Sequence, residues 1–437
     1  MKKTIFLGFI LAFTICSCNN NSSNTSSGKK SVQDVAETQN RKHKTGYKYV
    51  ENAEQVIVYY EKDRFGGWPA NNGAWIFSGD ELLVGFIEGP YELKQHNHNI
   101  GEPSSHWLVR SKDGGETWSA YDPDNFVGDF GDVPEFKIIE ESIDFEASRF
   151  VMRVGGTYGG ADPRGYFFYS YDAGISWKGP YGFGDLINHP EMKKYGLEEI
   201  TPRTDYVVTG KNECIVMMSA REKAKFGTDR LFSIKTKDGG KTFQFLGWVI
   251  KPYSEDEIDE TLKVLLYDDP GKNPYATQCR AVMSQTSMLP GGKLVTVMRR
   301  KYTAPDGDAI NSENWVDAYA SVDGGKTWTF QSMAGNGGKG NGNPPALAIS
   351  ANGRLCTVFG EREFGTIQVA YSSDEGKSWS EPQILFDEFW SEDMEYSDMG
   401  YPRVLARSDG QMVAVFYYST KEKLHYIHAT IWDPSNQ

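Results

Sequence analysis

The sequence predicts a repeat protein built from β-hairpins, because one short motif occurs five times along the 437-residue chain. The motif reads Ser/Thr-x-Asp-x-Gly-x-x-Trp/Phe. Runs of β-branched and aromatic residues precede it, such as HWLVR before the first copy and RGYFFYS before the second, and this context predicts hairpins. A motif that recurs along most of a chain predicts a repeat architecture. The copies are Ser111–Trp118, Ser170–Trp177, Thr236–Phe243, Ser321–Trp328 and Ser372–Trp379.

Each residue type in this motif has a structural use in a turn. An Asp carboxylate can accept hydrogen bonds from backbone N–H groups of the turn, and Gly supplies a backbone conformation with positive φ. The Trp or Phe then packs beneath the turn and holds the hairpin in place. A catalytic site is not built five times in one fold, so we interpret the motif's carboxylates as structural. They are Asp113, Asp172, Asp238, Asp323 and Asp374.

The pattern resembles the Asp-box, or BNR, repeat of the sialidase superfamily, over roughly residues 50–435. The resemblance implies an all-β fold, a six-bladed β-propeller with four antiparallel strands in each blade and a site at the central axis. It also implies that the Asp-box turns lie at the rim, away from that site. The C-terminal run HYIHATIWDP is predicted to be a strand that closes the ring against the N-terminal blade.

The first residues predict an export signal that is separate from the fold. The apolar run Ile5–Ile15 is too short to span a membrane, and Ile15-Cys16-Ser17-Cys18 after it resembles a lipoprotein cleavage site. An ordinary secretory signal is the alternative. With lipid attached at Cys18, the protein would be anchored to the bacterial cell envelope. We therefore predict a signal peptide over 1–17, a disordered, Asn- and Ser-rich tether over 18–48 and one propeller domain over 49–437.

Charge and cysteine content exclude some partners. The formal net charge of −13 and the lack of a basic stripe argue against binding to nucleic acid. Beyond the signal, Cys214, Cys279 and Cys356 are an odd number with no C-x-x-C spacing, which predicts neither a disulfide framework nor a zinc site. We expect buried strand cysteines, no cofactor or metal, a glycan ligand and a monomer.

The resemblance implies a site that holds a substrate carboxylate with three arginines, because a planar guanidinium can donate two hydrogen bonds to its two oxygens. The second arginine matches Arg299, at the end of GKLVTVMR, and the third matches Arg362, in FGEREFG. The position of the first is Gly67, in GWPA. Arg64, just upstream, is therefore the predicted substitute.

The resemblance also implies a tyrosine nucleophile, which is an exception to the two-carboxylate rule of glycosidases. Tyr401, in YPRV, has the matching spacing to the following Asp409-Gly410, and Tyr396, in YSDM, is the alternative. Met283 stands where the family has the glutamate that activates this tyrosine. A phenol with a pKa of about 10 is a weak nucleophile without a base beside it, so the family mechanism lacks one of its groups here.

The family's acid/base Asp would precede the first Asp-box, where this chain reads QHNHNIGEPSSH and has no Asp. Histidine can transfer a proton near neutral pH, so the candidates for this role are His96, His98, His106 and Glu102. Three interpretations stay open: a solvated polar loop, a catalytic or sugar-contacting histidine, and a metal pair formed by His96 and His98. No third ligand for such a pair has recognisable spacing.

Other segments offer weaker candidates. Gly335–Pro345 is rich in Gly but lacks the spacing of a phosphate-binding loop, and we interpret it as a loop at the propeller face with Asn341 and Asn343 available to sugar hydroxyls. Three further charged residues are candidates for the axis or for contact with an acidic sugar, with surface ion pairs as the alternative for the first two. They are Arg203, Asp205 and Arg403.

These residues lead to one expected function and two alternatives. We expect a sialidase-like glycoside hydrolase, of exo-α-sialidase type, that acts on a glycan containing an acidic sugar. The first alternative is a uronic-acid-directed polysaccharide lyase or a His-dependent glycosidase on the same propeller. The second is a glycan-binding protein without catalysis. A hydrolase releases a saturated sugar, a lyase releases an unsaturated one, and a binding protein releases nothing.

Overall fold

A computed structural model gives the fold of the chain, which consists of six β-sheets arranged as blades in a ring. The predicted all-β, six-bladed propeller is therefore confirmed. No helix within the described residues is long and apolar enough to cross a bilayer. The predicted signal peptide, Cys18 and nearly all of the predicted tether lie outside these residues. The structure describes residues 46–94, 97–126, 135–156, 163–223, 227–252, 280–302, 312–392 and 397–436.

The first three blades follow one another along the chain. Their strands are β2 (Arg64–Gly67), β3 (Ala74–Phe77), β4 (Glu81–Pro90), β5 (Ser105–Ser111) and β6 (Ser119–Tyr121) in blade 1; β7 (Val151–Gly156), β8 (Gly165–Ser170) and β9 (Lys178–Gly182) in blade 2; and β10 (Glu199–Ile200), β11 (Tyr206–Gly210), β12 (Glu213–Arg221), β13 (Arg230–Thr236) and β14 (Gln244–Trp248) in blade 3.

The other three blades complete the ring, and the last one contains the first strand of the chain. Their strands are β15 (Arg280–Met288), β16 (Leu294–Tyr302), β17 (Glu313–Ser321) and β18 (Thr329–Lys339) in blade 4; β19 (Ala346–Ile349), β20 (Leu355–Glu361), β21 (Thr366–Ser372) and β22 (Gln383–Phe386) in blade 5; and β1 (Glu54–Tyr59), β23 (Gly400–Ala406), β24 (Met412–Tyr418) and β25 (Tyr426–Trp432) in blade 6. Short helices occur at α1 (Pro69–Asn72), α2 (Pro190–Lys194) and the 3₁₀ turn Pro434–Asn436.

Three blades differ from the four continuous strands that the resemblance implied. In blade 1, β2 and β3 both pair with β4, because Trp68 and Gly73, with φ of 58° and 103°, turn the chain through α1 between them. In blade 3, β10 and β11 both pair with β12, and Pro202 between them has no N–H to continue the ladder. Blade 2 has three strands among the described residues.

The ring is closed by the N-terminal strand. β1 pairs antiparallel with β25, with Val56 opposite Ala429, and becomes the edge strand of blade 6. The C-terminal strand β25, which the sequence predicted as the closing strand, is buried along its whole length. The first and last strands of the chain therefore share one sheet, and closure of the ring depends on their pairing.

Five turns of one geometry carry the repeated motif, and each joins the two outer strands of a blade. In the first, the Ser111 hydroxyl donates to Asp113 Oδ1 over 2.7 Å, and that oxygen accepts the Thr117 N–H over 2.9 Å. Copies at Asp172, Asp238, Asp323 and Asp374 make the same two contacts. The carboxylates serve the turn, as the sequence predicted.

Apolar side chains pack between neighbouring blades. Between blades 6 and 1, for example, Val415 and Ile427 pack with Phe86 and Val84, all fully buried. The turns with the repeated motif stand at one end of the strands, since Ser321 pairs with Leu294 at the start of β16. The opposite end of β16, from Arg299 onward, is where charged residues become buried.

Candidate active site

Tyr401, Arg299 and Arg362 come together at the end of the blades that lies opposite the repeated turns. Arg299 Nη1 is 3.5 Å from the Tyr401 hydroxyl, and the guanidinium carbon of Arg362 is 5.8 Å from the Tyr401 ring centroid. All three are buried. Residues up to 102 positions apart in sequence thus form one group at the axis.

The backbone at Tyr401 is unusual, and its neighbours explain how it is held. Tyr401 has φ of 51° and Gly400 has φ of 106°, within an irregular stretch of β23. Asn343 Oδ1 accepts the Tyr401 N–H over 3.2 Å and also fills the space where a side chain at position 400 would lie. Met283, on a bulge of β15, has φ of 57°. Left-handed conformations at such residues cluster at functional sites.

The Tyr401 phenol is more acidic than an ordinary tyrosine. Burial alone raises its pKa, but the positive charges of Arg299, Arg362, Arg280 and Arg203 outweigh burial and hold the pKa below 10.0. A larger fraction of the phenol is therefore ionised at a given pH. The arginines therefore favour the phenolate form of Tyr401.

His98 is oriented by a buried carboxylate, Asp398. His98 Nδ1 lies 2.7 Å from Asp398 Oδ1, and the backbone N–H of Asn99 donates to Oδ2 over 3.3 Å. Burial raises the pKa of Asp398, but the His98 and His425 rings and Arg362 hold it well below its ordinary value. An ionised carboxylate at one ring nitrogen fixes the ring and favours the proton on that nitrogen. The arrangement suits proton transfer through the other nitrogen.

Tyr417 connects the histidine to the arginines. Its hydroxyl donates to Asp398 Oδ1 over 2.5 Å and accepts from Arg362 Nη2 over 2.8 Å. The Trp68 ring meets the His98 ring edge to face, with centroids 4.8 Å apart, and lies 6.2 Å from the Tyr417 ring. His98 and Tyr401 therefore belong to one connected set of side chains, in which Tyr417 and Trp68 stand between them.

The site is cationic although the chain as a whole is acidic. Burial together with Arg299, Arg280 and Arg362 lowers the pKa of Lys301 to about 7. Burial and Arg299 likewise lower the pKa of Arg280 to about 9; its Nε donates to Asp229 over 2.8 Å. These cations repel one another and stabilise an anion placed among them, so the site is suited to an anionic group.

Four of the predicted residues have their described contacts elsewhere or lie outside the described residues. Arg64 lies on β2, where the Glu88 carboxylate holds its guanidinium beside Tyr59. Glu102 is exposed and accepts bonds from the Ser104 N–H and hydroxyl, which caps a local turn. His96 and the alternative nucleophile Tyr396 lie outside the described residues.

Arg203 and His106 lie at the margin of the site. Arg203 Nε donates to Asn71 Oδ1 over 3.1 Å, and its charge contributes to the low pKa of Tyr401. His106 is buried against Asn72 Oδ1, 2.5 Å from its Nδ1. Burial and the Arg153 and Arg203 charges lower the His106 pKa well below 6.5. A neutral, enclosed imidazole of this kind holds structure together and is poorly placed for proton transfer to a ligand.

Asp205 and Arg403 have structural contacts below the site. Asp205 accepts hydrogen bonds from the Ser284 hydroxyl and the Thr286 N–H, over 2.5 and 2.9 Å, and so ties blade 3 to blade 4. Arg403 Nη2 donates to the backbone carbonyls of Ala70 and Thr204. Neither side chain has a described contact with Tyr401, and their expected part in binding an acidic sugar stays a prediction.

The segment Gly335–Pro345 contacts the site through two of its amide side chains. Its first part continues strand β18, contrary to the predicted loop. Asn341 accepts a hydrogen bond from Arg299 Nη2 over 2.9 Å, and Asn343 accepts one from the Tyr401 N–H.

The sequence patterns did not identify three residues of this site, Asp398, Tyr417 and Lys301. The clue to Asp398 was its place beside the two candidate tyrosines, in YSDMGYP.

The described residues do not provide a metal centre. No group of three His, Cys, Asp or Glu side chains that could hold a metal ion converges within them. Cys214 and Cys356 are buried strand residues with free thiols, in agreement with the sequence-based expectation, and Cys279 lies outside the described ranges.

Solved structures show what this chain is similar to. A protein of unknown function from Dyadobacter fermentans aligns with a TM-score of 0.60 at 16% identity, over 87% of this chain and 99% of that one. The α-L-arabinofuranosidase of Fusarium graminearum, solved with arabinobiose, aligns with a TM-score of 0.51 at 14% identity, over 87% and 98%. A Hadza microbial sialidase gives 0.49 and 14%, over 84% and 66%. No protein-family model and no curated protein matches.

The chain shares its propeller fold with the Dyadobacter protein and the Fusarium α-L-arabinofuranosidase. The propeller predicted from the repeated motif is therefore confirmed, and at identities of 16% and 14% the likeness shows the fold alone. Unrelated chemistries use the same fold. The function of this propeller therefore depends on the chemistry of Tyr401, His98 and the arginines around them.

Proposed function

We propose that this protein is a glycoside hydrolase, of exo-α-sialidase type, that acts on a glycan containing an acidic sugar. The observation that carries the proposal is the Tyr401 phenol beside Arg299 and Arg362, with its pKa held below 10.0 by positive charge. Tyrosine is an accepted glycosidase nucleophile where the two-carboxylate rule does not hold. A cationic surrounding favours both the phenolate and a substrate carboxylate.

In the proposed reaction the substrate carboxylate binds to the arginines and displaces Asn341 from Arg299. The Tyr401 Oη attacks the anomeric carbon while the bond from that carbon to the leaving oxygen breaks. His98, oriented by Asp398, donates a proton to the leaving oxygen. Water then attacks the anomeric carbon, His98 accepts a proton from that water, and the bond to Tyr401 breaks. The products are a saturated acidic sugar and the shortened glycan.

A specific observation favours a lyase as the second candidate. Met283 replaces the glutamate of the family, and no carboxylate among the described contacts reaches the Tyr401 hydroxyl. The phenolate would then remove the proton from the carbon next to a uronate carboxylate, whose charge the arginines neutralise. His98 would protonate the leaving oxygen, and the new carbon–carbon double bond would remain in the product.

The nature of the product decides between these functions. Purified protein is incubated with sialyllactose and, separately, with oligogalacturonate, and the products are analysed by NMR and ultraviolet absorbance. The proposal expects a saturated acidic sugar. An unsaturated product that absorbs in the ultraviolet would establish the lyase instead. If either glycan binds but no product forms, the protein is a glycan-binding propeller without catalysis.

We also propose that Cys18 carries a lipid that anchors the protein to the bacterial cell envelope. The support is the sequence Ile15-Cys16-Ser17-Cys18 after an apolar run. Cells fed labelled palmitate should incorporate the label into the natural protein, whereas the Cys18→Ser variant should not. Equal label in that variant would refute the proposal. Cys214→Ser, which changes a buried thiol, is the matched control and should keep the label.

A further inference from the structure

Lys301 lies beside the Tyr401 group, on the same face of blade 4 as Arg299. The two residues are two positions apart on β16, which pairs with β17 without a bulge, so their side chains project from one face about 6–7 Å apart along the strand. Arg300, between them, projects from the other face, where its Nη1 donates to Asp317 over 2.9 Å. Lys301 is half-buried, whereas Arg299 is almost fully buried, so Lys301 is the more accessible cation.

The strand neighbours of Lys301 provide no negative charge. The residue directly opposite it on β15 is Arg280, and the one directly opposite on β17 is Asn314. The Asn314 amide donates to the carbonyls of Gly338 and Gly340. Within the described part of the chain, Lys301 makes neither a hydrogen bond nor an ion pair. Like charges directly opposite each other destabilise paired strands, so the position of Lys301 beside Arg280 costs stability unless an anion joins them.

The positive charge at this site exceeds what one carboxylate can neutralise. Arg299 and Arg362 flank Tyr401, and Arg280 already has a carboxylate partner in Asp229, 2.8 Å from its Nε. The electrostatic neighbours of Lys301 are all arginines, namely Arg299, Arg280 and Arg362. A substrate carboxylate bound between Arg299 and Arg362 would leave the Lys301 ammonium without a counter-charge of its own.

We propose that this site selects a glycan with two negative groups, a carboxylate that binds Arg299 and Arg362 and a second anionic group that binds the Lys301 ammonium. The inference rests on the proposed function, because it names the substrate class of the same site. The second group is a sulfate ester next to the acidic sugar or the carboxylate of a second acidic sugar. Both present anionic oxygens that accept hydrogen bonds from an ammonium.

The test is the affinity of three glycans, measured by calorimetry at one ionic strength in the Tyr401→Phe protein, in which the ligands should stay intact. They are sialyllactose, disialyllactose, and sialyllactose with a sulfate ester on its galactose. At least one of the last two should bind about 10-fold or more tightly than sialyllactose, as expected for one added hydrogen bond between charged groups. The tighter of the two identifies the source of the second group.

Substitution of Lys301 shows whether this residue causes the preference. Lys301→Met should bind all three glycans with similar affinity, whereas Lys301→Arg, which keeps the charge, should retain the preference. Lys293→Met is the matched control, because it removes the same charge at the opposite end of β16, where Lys293 Nζ pairs with Glu375 over 2.7 Å. It should also retain the preference. Lys301→Met should be at least as thermally stable as its parent, since the repulsion from Arg280 is lost.

Three results would overturn the inference. They are equal affinity of the Tyr401→Phe protein for all three glycans, a preference that survives in Lys301→Met, and a preference that Lys293→Met loses to the same extent. Turnover by the natural protein separates this inference from the proposed function. A Lys301-dependent preference without hydrolysis contradicts the proposed function alone, and hydrolysis without the preference contradicts this inference alone. If none of the three glycans binds, both are wrong.

Discussion

At the scale of single residues, the proposed chemistry depends on how nearby charges change the pKa of one phenol. Tyr401 is buried, which by itself opposes ionisation, and four arginines reverse that effect. Burial together with three of these arginines, Arg299, Arg280 and Arg362, lowers the pKa of Lys301 to about 7. A bound carboxylate would relieve this repulsion, so we expect the acidic ligand to raise the pKa of both groups.

The pH dependence of activity tests the role of Arg299. If the phenolate is the reactive form, kcat/KM rises with pH through the Tyr401 pKa, which lies below 10.0. Arg299→Gln removes a positive charge and should move this rise to higher pH by about one unit. Arg299→Lys, the matched control, keeps the charge and should leave the rise near its original pH while lowering kcat/KM, because an ammonium lacks the two-bond fork.

If kcat/KM of Arg299→Gln rises at the same pH as that of the natural protein, the phenol of Tyr401 is not the titrating group.

Only part of this site could be predicted from the sequence. Arg299, Arg362 and Tyr401 were identified through their segments, and His98 through its place before the first Asp-box. Asp398 was missed because it meets His98 across 300 positions, a contact that no local pattern contains.

At the scale of elements, the repeated turns show where a motif is sufficient for prediction. The hydrogen bonds of an Asp-box turn join residues at most four positions apart, so the sequence contains the whole turn. The surroundings of Arg64, by contrast, depend on the fold beyond its own segment, and its role as the substitute arginine stays a prediction. Its neighbour Trp68 begins α1 with φ of 58°, and that break in the strand could not be predicted from RFGGWPANN alone.

The aromatic residue of each repeated turn should contribute to stability according to its burial. Trp177 is 6% exposed, so Trp177→Ala should lower the free energy of unfolding by about 3–5 kcal/mol. Trp118 and Trp328 are only half-buried, and the corresponding changes should cost less. Urea denaturation of the three variants checks the order. An equal loss in all three would contradict it.

At the scale of the whole molecule, the propeller is a ring whose two chain ends share blade 6. The sequence predicted the closing strand from its C-terminal run but not the partner strand β1, since Glu54–Tyr59 carries no repeated motif. The irregular strand numbers of blades 1 to 3 were also not predictable, because they depend on which backbone groups find partners in space.

Ring closure can be tested by two truncations. Removing residues 1–60 deletes β1 and exposes the edge of β25, and it should lower the free energy of unfolding by at least about 2 kcal/mol through loss of the buried Val58 alone. Removing residues 1–45 leaves β1 in place and should leave stability unchanged. Equal thermal stability of both truncated proteins would show that β1 does not hold the ring.

The most direct test of the central claim is the release of acidic sugar from sialyllactose by the natural protein and by Tyr401→Phe, followed by NMR. The account predicts a saturated acidic sugar from the natural protein and a loss on the order of 10²-fold or more in the variant, with unchanged thermal stability. His98→Gln should lose activity to a similar extent. Release at the natural rate by Tyr401→Phe would contradict the account, because the phenol beside Arg299 and Arg362 would then have no part in the chemistry.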